Sequence, residues 1–257
     1  MSLVPRGEKA GLHNVDHKLA KSNKDSIITI NMSKQPQHIK VLIACEFSGI
    51  VRTAFRKRGF DAWSCDLLPA EDSSDYHIQG DVRDILNNGW DIMIAHPPCT
   101  YLANSGVRWL YNQDGTRNKE RWKKLEEAAT FFLALLNAPI YYIAVENPIP
   151  HKYAVKLIGR KYDQIIQPYQ FGEPYSKATC FWLKNLPKLQ PTNVIPKDQV
   201  KQQVWREPPS PVRWKNRSRT YKGIAEAMAE QWGQFVIHSY HKKTPAQTED
   251  NNRLITI

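Results

Sequence analysis

Four short apolar runs, "KVLIACE", "DAWSCD", "WDIMIAH" and "IYYIAVENP", recur between residues 40 and 148, and helix-period segments lie among them. That alternation constrains the fold more than any other feature. Runs this short, dense in branched and aromatic residues, suit strands covered on both faces, and strands joined through helices run parallel. The expectation is an α/β fold, a mostly parallel sheet with helices on both faces. "GIVRTAFRKRG" predicts a first helix closed by Gly59. Trp122, Leu125, Ala129, Phe132 and Leu136 recur at steps of three and four and mark one face of a long helix. A short helix near 151–159, a closing hairpin from "YDQIIQPYQF" and "ATCFWLKN", and a C-terminal helix over "GIAEAMAEQWGQFV" complete the pattern.

The chain has 257 residues, 41% of them hydrophobic, enough for one substantial core. Residues 1–7, "MSLVPRG", resemble the remnant of a thrombin-cleavable tag, and 8–37 read as a polar tail. The folded domain is expected over 38–240, with a second polar tail at 241–257. No apolar run approaches the length of a bilayer span, so no membrane partner is expected. Cysteines 45, 65, 99 and 180 lie far apart, with no CxxC pair and no histidine cluster at ligand spacing. Neither a metal site nor a disulfide framework is expected, and the compartment is expected to be reducing and cytoplasmic.

Formal net charge is +11, which points to a polyanionic partner, nucleic acid first. The charge clusters at "RKRG" (56–59), at "KERWKK" (119–124) and above all at "VRWKNRSRTYK" (212–222). The last carries five positive charges, no negative ones and two aromatics, the mixture that neutralises phosphates and stacks on bases. Arg213, Trp214, Arg217 and Arg219 are its candidate nucleic-acid contacts. Prolines at 187, 191, 196, 208, 209 and 211 predict an extended loop that delivers these side chains to one side of a crevice.

Candidate chemistry collects where strands end, the place where open α/β sheets bind ligands. Gly49 follows the first strand and opens a helix whose N–H groups would face a ligand. A GxGxxG fingerprint is absent. Asp66 ends the second strand, placed either to hold a ribose diol or to form a turn. Asp81, in "GDVRD", follows Gly80 in a loop before the next strand and is suited either to a ligand or to a turn. "HPPC" sets Cys99 just past a third strand, either as a small buried apolar residue or as a free thiol. Glu146 leaves an apolar strand in "VENP". Burial there is expected to raise its pKa and make it a proton donor, with a plain turn residue as the alternative. Cys99 and Glu146 would end neighbouring strands, a thiol and a tunable carboxyl at one crevice.

The series "EFSG", "SCD", "GDVRDI", "HPPC", "VENP" and "YQFGEPYSKATCFWL", over about residues 39–184, resembles the ordered motifs of the C5-cytosine methyltransferases. The resemblance implies a Rossmann-like fold that binds S-adenosylmethionine (SAM) as its cofactor. It implies a SAM pocket at Phe47, Ser48, Gly49, Val82 and Pro97, with Asp66 on the ribose and Asp81 on the adenine. It implies Cys99 as the nucleophile, Glu146 on the cytosine N3 and N4 edge, and Lys177 in place of a catalytic arginine. Gly106 falls where the family's catalytic loop ends. DNA is the implied substrate, with RNA or a free pyrimidine nucleotide as the alternative, or a catalytically inert protein of the same fold. Val51, Thr100, Pro148, Tyr175 and Thr179 depart from the family's pattern. Only a short recognition region, 185–222, stands where the family has a large domain, and such a compact enzyme suits a bacteriophage.

Overall fold

A computed structural model describes residues 35–202, 208, 210, 211 and 213–243, the last three by backbone alone. The tag-like residues, most of the N-terminal polar stretch, Pro209 and the residues after 243 lie outside the described residues. Among the described residues seven strands form one sheet: β1 (Lys40–Ala44), β2 (Asp61–Asp66), β3 (His77–Gln79), β4 (Ile92–Ala95), β5 (Tyr142–Pro148), β6 (Gln164–Ile166) and β7 (Thr179–Lys184). Their order is β3-β2-β1-β4-β5-β7-β6, and all neighbouring pairs are parallel except β5 with β7 and β7 with β6. This is a Rossmann-like α/β fold. Sequence pattern predicts every strand but β3, whose three residues include no run long enough to read. The closing hairpin forms, and its second strand, not its first, pairs with β5.

Alternate residues of the central strands feed two separate cores, which is why these strands carry no polar alternation. Val41, Ile43, Ile92 and Ile94 pack on one face with Val51 and Phe55 of helix α1 (Ile50–Arg56). The same layer takes in helix α5 (Lys222–Ala227), which a wide turn at Met228–Trp232 joins to α6 (Gly233–Lys243). Leu42, Ala44, Met93 and Ala95 pack on the other face with Leu125, Ala129 and Phe132 of α2 (Lys119–Leu136) and Ala154 of α3 (Lys152–Ile158). Asn118 caps α2 by accepting the Arg121 N–H at 3.0 Å. α6 runs to Lys243, a little past the expected start of the tail.

One further expectation changes. Residues Arg213–Ser218 form a short helix, α4, rather than extended chain, because the prolines all precede it and leave its own backbone N–H groups free to bond. The chain then passes close to the core at Gly223, where any Cβ would sit 1.8 Å from the Phe171 carbonyl oxygen.

Candidate functional site

Strand order reverses between β1 and β4, and a cleft of about 620 Å³ opens past the carboxyl ends of these strands. β1 delivers Cys45, Glu46, Phe47 and Ser48 to it; β2 delivers Asp66; the turn after β4 delivers His96, Pro97 and Cys99; β5 delivers Glu146. Lys177, before β7, and Trp214, Arg217 and Arg219, from α4 and the residue after it, line it from the far side. Gly106 and Trp109, in a 3-10 segment (Asn104–Leu110), line it as well.

The turn out of β1 is tight. Cys45 takes a φ of 58°, a conformation uncommon outside glycine, and Gly49 takes 68°. The result folds the Glu46 carboxylate back onto α1, where it accepts the Val51 N–H at 2.7 Å and the Arg52 N–H at 3.2 Å. This corrects the expectation that the helix offers free N–H groups to a ligand. Glu46 is buried, which raises its pKa, and the nearby His96 charge and the two backbone bonds act against that rise.

Asp66 accepts the Leu68 N–H at 3.0 Å, and burial raises its pKa despite that bond. Asp81 and Val82 are not among the cleft-lining residues. Asp81 accepts hydrogen bonds from Arg83 Nε at 3.0 Å, and its pKa is lowered to about 2 by that partner. Val82 is buried in the core beneath α2.

Glu146 Oε2 lies 3.1 Å from His96 Nδ1. Here the structure reverses an expectation. Burial opposes ionisation of Glu146, but the His96 hydrogen bond and the charges of Lys177 and His96 outweigh it and hold the carboxyl below its ordinary range. Cys99 shows the opposite balance. Burial first, then the Glu146 charge, pushes its thiol up, and Lys177 and Arg217 pull against them.

Lys177 Nζ donates to the carbonyl oxygens of Arg217 at 2.9 Å and Arg219 at 3.3 Å, so it ties α4 to the cleft. Trp214 sits with its ring centroid 5.9 Å from that of Phe47. Arg213 opens α4 and is not a lining residue; Arg219 lines the cleft with its guanidinium on Glu71, Nη2 to Oε1 at 2.8 Å. Tyr175, one of the departures from the family pattern, stacks on Tyr221 at 5.5 Å.

Sequence reading passed over His96 and Glu46 as functional side chains, although both stand inside quoted motifs. The usable signal was position: each lies just past the apolar run of a central strand, where a polar side chain faces the crevice. Among the described residues no group of three or more His, Cys, Asp or Glu could hold a metal ion, and no helix is long and apolar enough to cross a membrane.

No known family profile matches the sequence, and no curated protein matches it significantly. Among solved structures, a DNA modification methyltransferase encoded within an E. coli prophage is similar at 16% identity, over 62% of this chain and 52% of that one, with a TM-score of 0.39. The Entamoeba histolytica methyltransferase EhMeth is similar at 16% identity over 61% of this chain and 57% of that one (TM-score 0.39). The S. pombe Dnmt2 methyltransferase is similar at 16% over 58% and 51% (TM-score 0.35). The chain therefore spans a little over half the length of these proteins.

Proposed function

We propose that this protein transfers a methyl group from SAM to C5 of cytosine in DNA, through a covalent bond between Cys99 and C6. The observation that carries the reading is convergence: Cys99 and Glu146 reach one cleft from adjacent parallel strands, with Phe47 and Asp66 at the same cleft. Cytosine C5 is a weak nucleophile, and a thiolate added at C6 makes it enamine-like.

The residues fit SAM. Glu46 occupies the first amides of α1, so this end of the cleft offers no phosphate cradle of the kind a dinucleotide needs. A ligand with a ribose and a sulfonium, and no phosphate, suits it. Asp66 would accept the ribose hydroxyls and Phe47 would cover the base. Bound there, SAM supplies the methyl electrophile.

The chain's own part is acid–base and covalent work. Cys99 Sγ, as thiolate, bonds to C6, and the ring electrons shift toward N3. The proton given up by the Cys99 thiol reaches N3 through the Glu146 carboxyl, whose Oε2 lies 3.1 Å from His96 Nδ1. After C5 is methylated its proton leaves to a base, the C6–S bond breaks to return the thiolate to Cys99, and N3 gives its proton back to Glu146. Lys177 stabilises the thiolate and the Glu146 carboxylate by charge. Tritium transfer from labelled SAM to duplex DNA, single-stranded DNA, RNA and dCMP tests the reading, and no incorporation into any of them overturns it.

Asp66→Ala should weaken SAM binding about tenfold or more through loss of charge-assisted hydrogen bonds, as read by calorimetry. Wild-type affinity in that variant would remove Asp66 from the cofactor site. Replacing Arg213, Arg217 and Arg219 with alanine should weaken DNA binding and reduce the slope of log affinity against log salt by about 0.9 for each phosphate no longer neutralised. An unchanged slope would place the phosphate-binding cations elsewhere.

A further inference from the structure

Two exposed tryptophans line the cleft from separate segments of chain. Trp109, in the 3-10 segment after β4, is 53% exposed, and Trp214, in α4, is 52% exposed. Each has a cation beside its ring: Arg108 lies 4.4 Å from the Trp109 centroid, and Lys215 Nζ lies 5.7 Å from that of Trp214. Neither indole belongs to the two core clusters, and each leaves about half of its surface to solvent. An apolar ring paired with a cation, repeated on two segments around one opening, is the arrangement that stacks on a base and neutralises the phosphate next to it.

What kind of strand offers bases to such rings follows from base geometry. In a duplex the faces of the bases are covered by their neighbours, and only edges and backbone are presented. In an unpaired strand every base has an open face. Between β7 and α4 the sequence has only residues 185–212, too few for a second domain inserted there to hold a duplex from its other side.

We infer that the mouth of the cleft takes an unpaired polynucleotide strand, with Trp109 and Trp214 stacking on bases that flank the one delivered to Cys99. The inference rests on the reading of the cleft as the methyl-transfer site, and it adds the substrate class: a single strand in preference to a duplex.

The test is binding of fluorescent oligonucleotides of one sequence with a single cytosine, as single-stranded DNA, single-stranded RNA and duplex DNA, at fixed salt. The DNA and RNA arms say which strand chemistry is preferred; either one bound at least tenfold tighter than the duplex supports the inference. Trp109→Ala and Trp214→Ala should each cost about tenfold in single-strand affinity, with duplex affinity changed less than about twofold, and Trp→Phe at each site should restore most of it. Duplex binding equal to or tighter than single-strand binding overturns the inference. So does an equal loss on duplex and single strand in the alanine variants, which would mark the indoles as wedges inserted into paired DNA. Methyl incorporation, measured in parallel, judges the enzymatic reading separately. Single-strand binding without transfer refutes that reading and leaves the stacking assignment standing, whereas duplex methylation indifferent to both tryptophans does the reverse.

Discussion

Cys99→Ser is expected to reduce methyl transfer to background while SAM affinity, measured by calorimetry, stays within about twofold of wild type. A hydroxyl at that position is far less acidic than a thiol and cannot supply the anion that bonds to C6. The cofactor end of the cleft is built by other strands, so the loss should be confined to chemistry. The thiol's raised pKa sets the pH dependence. The ionised fraction is small at neutral pH and grows with pH until the raised value is passed, so single-turnover transfer by the wild type should climb across the neutral and mildly alkaline range. A serine variant with near-wild-type turnover, or a wild-type rate that falls over that range, would exclude rate-limiting attack by the Cys99 thiolate.

Glu146→Gln should slow transfer by a factor on the order of 10² or more, because an amide cannot pass a proton to N3. The same substitution carries a second expectation of opposite sign. Glu146's charge is one of the two main causes that push the Cys99 thiol up, so its removal should raise the thiolate fraction and speed alkylation of Cys99 by iodoacetamide. Because a damaged fold would also expose the thiol, the pair of results counts only if the variant keeps the wild-type unfolding temperature and SAM affinity. Unchanged turnover would remove Glu146 from the mechanism, and unchanged alkylation would show that its charge is not felt at the thiol.

Periodicity made the sheet legible because the two faces of each central strand are buried in different cores, which leaves long apolar runs with sharp ends. β3 was illegible for the converse reason: its three residues pair only with β2 at the edge of the sheet and are not fully buried. The site was readable as a set of strand ends, which is how Cys99, Asp66 and Glu146 could be placed without coordinates. The protonation of Glu146 was not. Burial alone predicts a raised carboxyl, and the side chains that reverse the shift, His96 and Lys177, come from a neighbouring strand end and from a segment 31 residues further along. Through-space charge of that kind leaves no trace in local pattern. The helical form of 213–218 was hidden similarly, since six preceding prolines suggested extension while the basic segment itself contains none.

The single ammonium of Lys177 has two duties. Its hydrogen bonds end the α4 segment by holding the Arg217 and Arg219 carbonyls, and its charge reaches Cys99 and Glu146 from the same spot. The position of α4 and the electrostatics at Cys99 and Glu146 therefore depend on one and the same side chain, so a change at Lys177 reaches the rim and the floor of the cleft together.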